Sequence, residues 1–178
     1  MTRPRTASRT IPTPTTPEVR PRHRVRLAVN LLNGSTLAGL AAATAGRARL
    51  ASYPDGLIVG TSYRLPVPSA PAFTLGNVII THREDLGPDT PLLRHEARHS
   101  TQYAWCGGLL MLPLYFAAAG VSWLVSGDFG AWNVFERGAG LADGNYTARS
   151  LRAALRFQRS APAPLRADGP PDLGSGPG

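Results

Sequence analysis

The stretch Thr90-Pro91-Leu92-Leu93-Arg94-His95-Glu96-Ala97-Arg98-His99-Ser100-Thr101-Gln102-Tyr103 decides how the rest of the chain is read. The turn-forming Gly87-Pro88-Asp89 precedes it, so Thr90 is a natural N-cap and Pro91 occupies the first helical position, where a missing N–H costs nothing. Gly107-Gly108 ends the pattern, and a helix over 91–106 is predicted. On it Leu92, His95, Glu96, His99, Tyr103 and Cys106 recur at helical spacing and share one face, while Arg94, Arg98 and Thr101 lie towards the other. The ionisable trio therefore looks inward. Histidines four apart project from successive turns, so both imidazoles can reach one Zn²⁺ with Glu96 beside its open side. Burying these groups without partners costs several kcal/mol, and a metal satisfies all three compactly. A hydrogen-bonded His/Glu cluster in an ordinary core is the alternative.

A catalytic zinc takes three protein ligands and keeps a position for water. No third His follows the pair; His82 lies before the helix and His23 near the N-terminus. Glu136 is the only Glu after the motif, within Trp132-Asn133-Val134-Phe135-Glu136, where Asn133 can cap a new helix. It is the candidate third ligand, although a first-turn Glu stabilised by the helix dipole would occupy the same place without a metal. Asp143, seven residues on and so along the same helical face, either orients a ligand imidazole or stays in solvent. Gln102, aligned with His95, either supports a ligand or is a surface amide.

His95 to His99 followed by a distant helical Glu136 resembles the gluzincin branch of the zincin metallopeptidases. The wider string, Gly76-Asn77-Val78-Ile79-Ile80-Thr81, then the motif through Gln102, then Asn133 to Arg137 and Leu141-Ala142-Asp143-Gly144, is similar to small bacterial HExxH proteins. The resemblance covers residues 75–146. It implies a minimal zincin-like α+β domain, one zinc ion on His95, His99 and Glu136, and Glu96 as general base in the hydrolysis of a peptide or protein substrate. The chain is far shorter than well-studied gluzincins, and Tyr103 and Tyr146 are the candidates to stabilise the transition state. A rival reading keeps the same ligands in a non-catalytic, metal-stabilised binding or scaffold protein at the membrane.

Working outward, residues 27–45 are Ala/Leu-rich and read as helix, broken or capped around Asn33-Gly34-Ser35-Thr36. Residues 57–63 and 73–81 are rich in β-branched and aromatic side chains and read as a short antiparallel β pair joined by a proline-stiffened loop. Between the motif and Glu136, residues 107–126 carry no charge and are just long enough to span a bilayer. A single crossing would leave His99 and Glu136 on opposite sides, so either Glu136 is not a ligand or the segment does not cross once; an apolar helical hairpin broken at Pro113 and Gly120 is expected, re-entrant or interfacial at the membrane or buried in the protein. After Tyr146 a helix to residue 159 is predicted, with Arg149, Arg152, Arg156 and Arg159 along one side. Trp105, Trp123, Trp132 and Tyr115 are candidate interfacial anchors.

With 43% hydrophobic residues the chain can bury a core, which excludes wholesale disorder. The organisation expected is a disordered Arg/Pro-rich arm over 1–24, one metal-binding domain over 25–159 and a disordered Pro/Gly-rich tail over 160–178. Net charge is +8, but residues 1–26 hold seven Arg against Glu18 and so carry +6 of it. That arm lacks interleaved aromatics and the rest of the chain is near neutral, which argues against nucleic acid as a partner; the Arg side of the helix after Tyr146 suits an anionic membrane surface, or is a solvated face packed on the domain. The single Cys106 forms no internal disulfide, and residues 27–45 are too polar for a good signal peptide, so a cytoplasmic, membrane-associated location is expected.

Overall fold

The computed structural model describes residues 20–150. The expectations for residues 1–19 and for the tail 160–178 lie outside them, as does most of the helix expected after Tyr146 to residue 159; its described part, residues 147–150, is not helical. The elements are helices α1 (Pro21–Leu32) and α2 (Ser35–Ala45), strands β1 (Arg49–Ser52), β2 (Ile58–Thr61), β3 (Ala72–Leu75) and β4 (Val78–Thr81), then helices α3 (Pro91–Trp105), α4 (Met111–Ser126) and α5 (Val134–Ala139). The architecture is mixed α+β, around one four-stranded sheet in the order β1-β2-β4-β3.

Alternation along β4 builds two cores. Val78 and Ile80 point to one face, where they pack with Tyr63 and Ala43 of α2; Ile79 points to the other, with Val59, Leu57, Leu86 and Leu93 of α3. The sheet is thus covered on both sides, and α3 lies across the second. A buried amide lashes α1 to it: Asn30 Nδ2 donates to the Ser100 carbonyl at 2.8 Å and to Asn77 Oδ1 at 3.1 Å.

Four expectations are corrected here. The two β-rich stretches are not an antiparallel pair: β2 and β4 are parallel, Ile58 beside Val78. Residues 73–81 are two strands folded at Gly76-Asn77, with Gly76 at φ 61, a conformation that suits glycine at the first position of a tight hairpin turn. β1 was not anticipated, because all four of its residues are exposed and leave no apolar alternation to read. The apolar stretch is not a hairpin. After a single turn at Gly108–Leu110, α4 runs unbroken for 16 residues. Pro113 sits in its first turn, where no N–H is needed, and a Cβ at the helical Gly120 would meet nothing within 4 Å. The helix break at Asn33-Gly34 is present, with α1 and α2 bent by 74°, but α1 begins at Pro21, inside the stretch assigned to the arm.

Candidate metal centre

Local sequence sets the two helices that carry the site. Thr90 caps α3, its hydroxyl oxygen accepting from Leu93 N, and Asn133 caps α5, accepting from Phe135 N. Each such cap contributes about 1 kcal/mol. On α3 the buried side chains are Leu93, His95, Glu96, His99, Ser100 and Tyr103, so the motif faces inward and Arg94 and Arg98 face out. Leu93 and Ser100 widen the buried face beyond the stripe read from spacing, because sheet and α1 pack on it from adjacent sides.

α5 brings Glu136 to the same point. His95 Nε2 and His99 Nε2 are 3.0 Å apart, and Glu136 Oε2 lies 3.1 Å from the first and 3.7 Å from the second. All three residues are buried. Ligands bonded tetrahedrally at about 2.0–2.1 Å stand about 3.3 Å apart, so the triangle has the size of a zinc coordination face. A buried His95, His99 and Glu136 group able to hold a metal ion is therefore present.

The outer atoms of the imidazoles sharpen this. His95 Nδ1 is 3.0 Å from the Gly140 carbonyl, which can only accept, so Nδ1 carries the hydrogen. His99 Nδ1 is 2.7 Å from Gln102 Oε1, and that amide is oriented by its own Nε2 donating to Phe135 O at 2.9 Å. With both Nδ1 protonated, each neutral ring turns an Nε2 lone pair towards the other and towards Glu136 Oε2, which is buried with no hydrogen-bond partner. Three acceptors converge on one point with no hydrogen between them. A cation, or a proton on an imidazole, must supply the missing positive charge.

The electrostatics of the metal-free site agree. Burial alone would raise Glu136, but the two imidazoles, once one of them carries the extra proton, and the Tyr115 hydroxyl outweigh it and hold its pKa down at about 2. Burial opposes protonation of His95, yet the neighbouring Glu136 and Glu96 and the Gly140 carbonyl raise its pKa above the ordinary value. Glu96 is raised, chiefly by burial, against the opposing pull of His99, Thr74 and His95. Its Oε2 accepts from the Thr74 hydroxyl of β3 at 2.6 Å, and it stands outside the ligand triangle.

The remaining candidates divide. Gln102 supports His99 rather than lying free on the surface. Asp143 does not orient an imidazole: α5 ends at Ala139, Gly140 turns the chain at φ 89, and the carboxylate pairs instead with Arg98 at 2.7 Å and Arg94 at 3.4 Å on the outer side of α3. The Gly140 carbonyl takes the role assigned to it. Gly144, on the same turn, lies so close to His95 that a Cβ there would strike the ring. Tyr146 stands over His95, ring centroids 6.1 Å apart, with its pKa pushed up to about 12 by burial first and the Glu136 charge second. Tyr103 is buried beside Glu96, and burial with that charge raises its pKa. Two participants were missed. Tyr115, read as an interfacial anchor, donates its hydroxyl to Glu136 Oε1, and Thr74 holds Glu96.

The three groups open onto a cleft of about 330 Å³ between β3, α3 and α4. One wall is edge strand β3, with Phe73 and Leu75; the lining is mainly apolar and includes Leu112 and Phe116 of α4. The chain matches no family model, no curated protein and no solved structure.

Proposed function

We propose that this protein is a zinc metallopeptidase of zincin-like architecture. The observation that carries the reading is the convergence of His95 Nε2, His99 Nε2 and Glu136 Oε2, with both Nδ1 atoms committed to carbonyl oxygens, at the wall of a cleft flanked by an unpaired strand edge. Two imidazoles and one carboxylate at tetrahedral spacing suit zinc. Bound there, zinc supplies a Lewis acid that makes water acidic near neutral pH.

The chain's own groups do the rest. Glu96 accepts a proton from the attacking water and hands it to the leaving amine nitrogen; burial lifts its pKa towards the range in which both transfers are efficient. Thr74 anchors one carboxylate oxygen and leaves the other for that exchange. The outer edge of β3 offers main-chain groups to an extended peptide, and the apolar cleft walls suit apolar side chains. Tyr146 stays protonated at neutral pH, so its hydroxyl is a donor for a substrate carbonyl oxygen as charge develops on it.

The test is hydrolysis of a quenched-fluorescent peptide library by the full chain loaded with one equivalent of zinc. Glu96→Gln is expected to keep the zinc and lose activity by about 10²–10⁴-fold. A wild type that binds zinc but cleaves nothing, with its biological activity intact in Glu96→Gln, would favour the metal-stabilised scaffold.

A further inference from the structure

The two longest runs without Asp, Glu or Arg are residues 27–46 and 99–127. The fold joins them. A Cβ on Gly108 would lie 2.6 Å from the Asn33 side chain, so the α1–α2 break abuts the connection between α3 and α4. Around that contact Leu32 is 87% exposed and Trp105 85%, with Leu31, Leu37 and Leu109 exposed beside them in sequence.

The same character continues along α4. Leu110, Leu114, Val121 and Leu124, exposed and spaced by four, seven and three, form a stripe opposite the buried Met111, Ala119 and Ser122. A solvated helix carries polar groups on its outer face; this one carries none, and only 22% of Gly108–Ser126 is buried. A contiguous exposed apolar surface marks an interface.

Charge identifies the partner. At the far end of α4, Trp123 stacks on Phe129 and Trp132 lies 5.1 Å under the Arg137 guanidinium. Trp132 also donates its indole N–H to the Arg149 carbonyl at 2.8 Å, which holds Arg149 beside this cluster. From that point the sequence is basic: residues 144–167 hold five Arg and no acid. An uncharged face rimmed by Trp and Arg, with a cationic stretch of sequence following from Arg149 at its edge, matches an anionic lipid surface. A two-fold dimer through α4 would instead bring two copies of that cationic stretch together and repel.

We propose that α4 and the helix tips at its start dock this protein onto an anionic bilayer, the helix lying along the interface. It does not cross, because its inner side is fastened to the domain: Tyr115 donates to Glu136, and Ser122 Oγ donates to Asp128 O at 2.6 Å and accepts from Trp132 N at 2.8 Å. Docking stands independently of catalysis. The consequence for substrate rests on the metallopeptidase reading: Leu112 and Phe116 of α4 also line the cleft, which sets its mouth beside the membrane surface and favours substrates extended there.

The experiment is flotation of the full-length zinc-loaded chain with vesicles of phosphatidylcholine alone or mixed with phosphatidylglycerol. Wild type floats with the mixed vesicles, floats less with phosphatidylcholine alone, and is released by salt. The double variant Leu114→Asp/Leu124→Asp loses at least about tenfold in partitioning, the equivalent of a single buried Leu. Its zinc content and circular dichroism report folding; should it fail to fold, Leu32→Ser/Trp105→Ala changes side chains that are almost wholly exposed and is expected to weaken flotation in the same direction. Glu96→Gln floats like wild type, so loss of hydrolysis and loss of docking are read separately. The proposal falls if wild type floats with neither vesicle, floats equally with both, or if folded variants float unchanged. It also falls if the apolar substitutions abolish a dimer in lipid-free solution while wild type shows no lipid affinity.

Discussion

α3 and α4 follow one another in the chain and have nearly the same length, 15 and 16 residues, yet each inverts the usual distribution of polar and apolar side chains in its own way. α3 buries two imidazoles and a carboxylate; α4 exposes leucine, valine and phenylalanine. Polar groups inside must find a counter-charge, and apolar groups outside must find a surface that excludes water. The two helices therefore suit the two partners proposed for this chain: a cation held on the inner face of one, and a lipid surface laid against the outer face of the other. Tyr115 links them, since it stands on α4 and its hydroxyl meets the carboxylate that completes the α3 cluster.

The comparison breaks most completely at the ligands. His95→Ala or Glu136→Ala is expected to abolish the single equivalent of bound metal measured by elemental analysis, with vesicle binding untouched because α4 keeps its outer stripe. Retention of a full equivalent in Glu136→Ala would separate α5 from the site. A smaller loss is expected one bond further out. Gln102→Leu removes the acceptor that keeps the His99 tautomer in place, and metal affinity by competitive chelation should fall about 10–100-fold with stoichiometry preserved. An unchanged affinity would show that His99 needs no outer support.

How far these residues were legible follows from how local their signals are. Helix α3, its Thr90 cap and its inward trio all lie within one periodic run, and Asn133 announces the α5 cap that carries Glu136. The Gly140 carbonyl that holds His95 belongs to no residue type and leaves no trace in a sequence. Of the two readings of Asp143 the solvent-side one holds; the shared face with Glu136 fails because helical spacing was extended through Gly140, where φ 89 ends the helix. Tyr115 lies on a third helix, and an apolar run gives no sign of which aromatic turns inward. In the sheet, the Gly76-Asn77 turn signal was overridden by the β-branched residues around it, and β1 has no buried face to betray it. Pro113 and Gly120 looked like breaks in α4, but proline is harmless in a first turn and glycine is tolerated where nothing packs.

A gentler test uses pH on the metal-free protein, where protons stand in for the cation. Glu136, depressed to about 2 from 4.5, contributes stability that is complete above pH 4.5 and lost as pH falls towards 2. His95, raised above 6.5, contributes fully below pH 6.5 and loses that contribution as pH rises through its folded value. Glu96, also raised, begins to lose its share above 4.5. Thermal unfolding without metal should therefore be hardest between about pH 4.5 and 6.5, on the acid side of the usual optimum. Zinc should move the optimum upward, since the ligands then bind metal instead of protons. A metal-free optimum at alkaline pH would mean that the cluster does not gather positive charge.

The smallest effect is expected at Asp143, and its smallness is informative. Its carboxylate lies between Arg98 and Arg94 on the solvent side of α3, where exposed ion pairs contribute little. Arg98 also donates to the Ala139 carbonyl, so the turn that presents Gly140 to His95 is held from two directions and does not depend on the carboxylate alone. Asp143→Asn should leave metal stoichiometry at one and affinity within a few-fold of wild type. Gly144→Ala, one residue away, pushes a methyl group into the His95 ring and should weaken metal binding much more. The ordering of these neighbours separates two pictures of the site. If the turn acts through its backbone, the glycine matters and the acid does not; if Asp143 instead tunes His95 by charge, the order reverses.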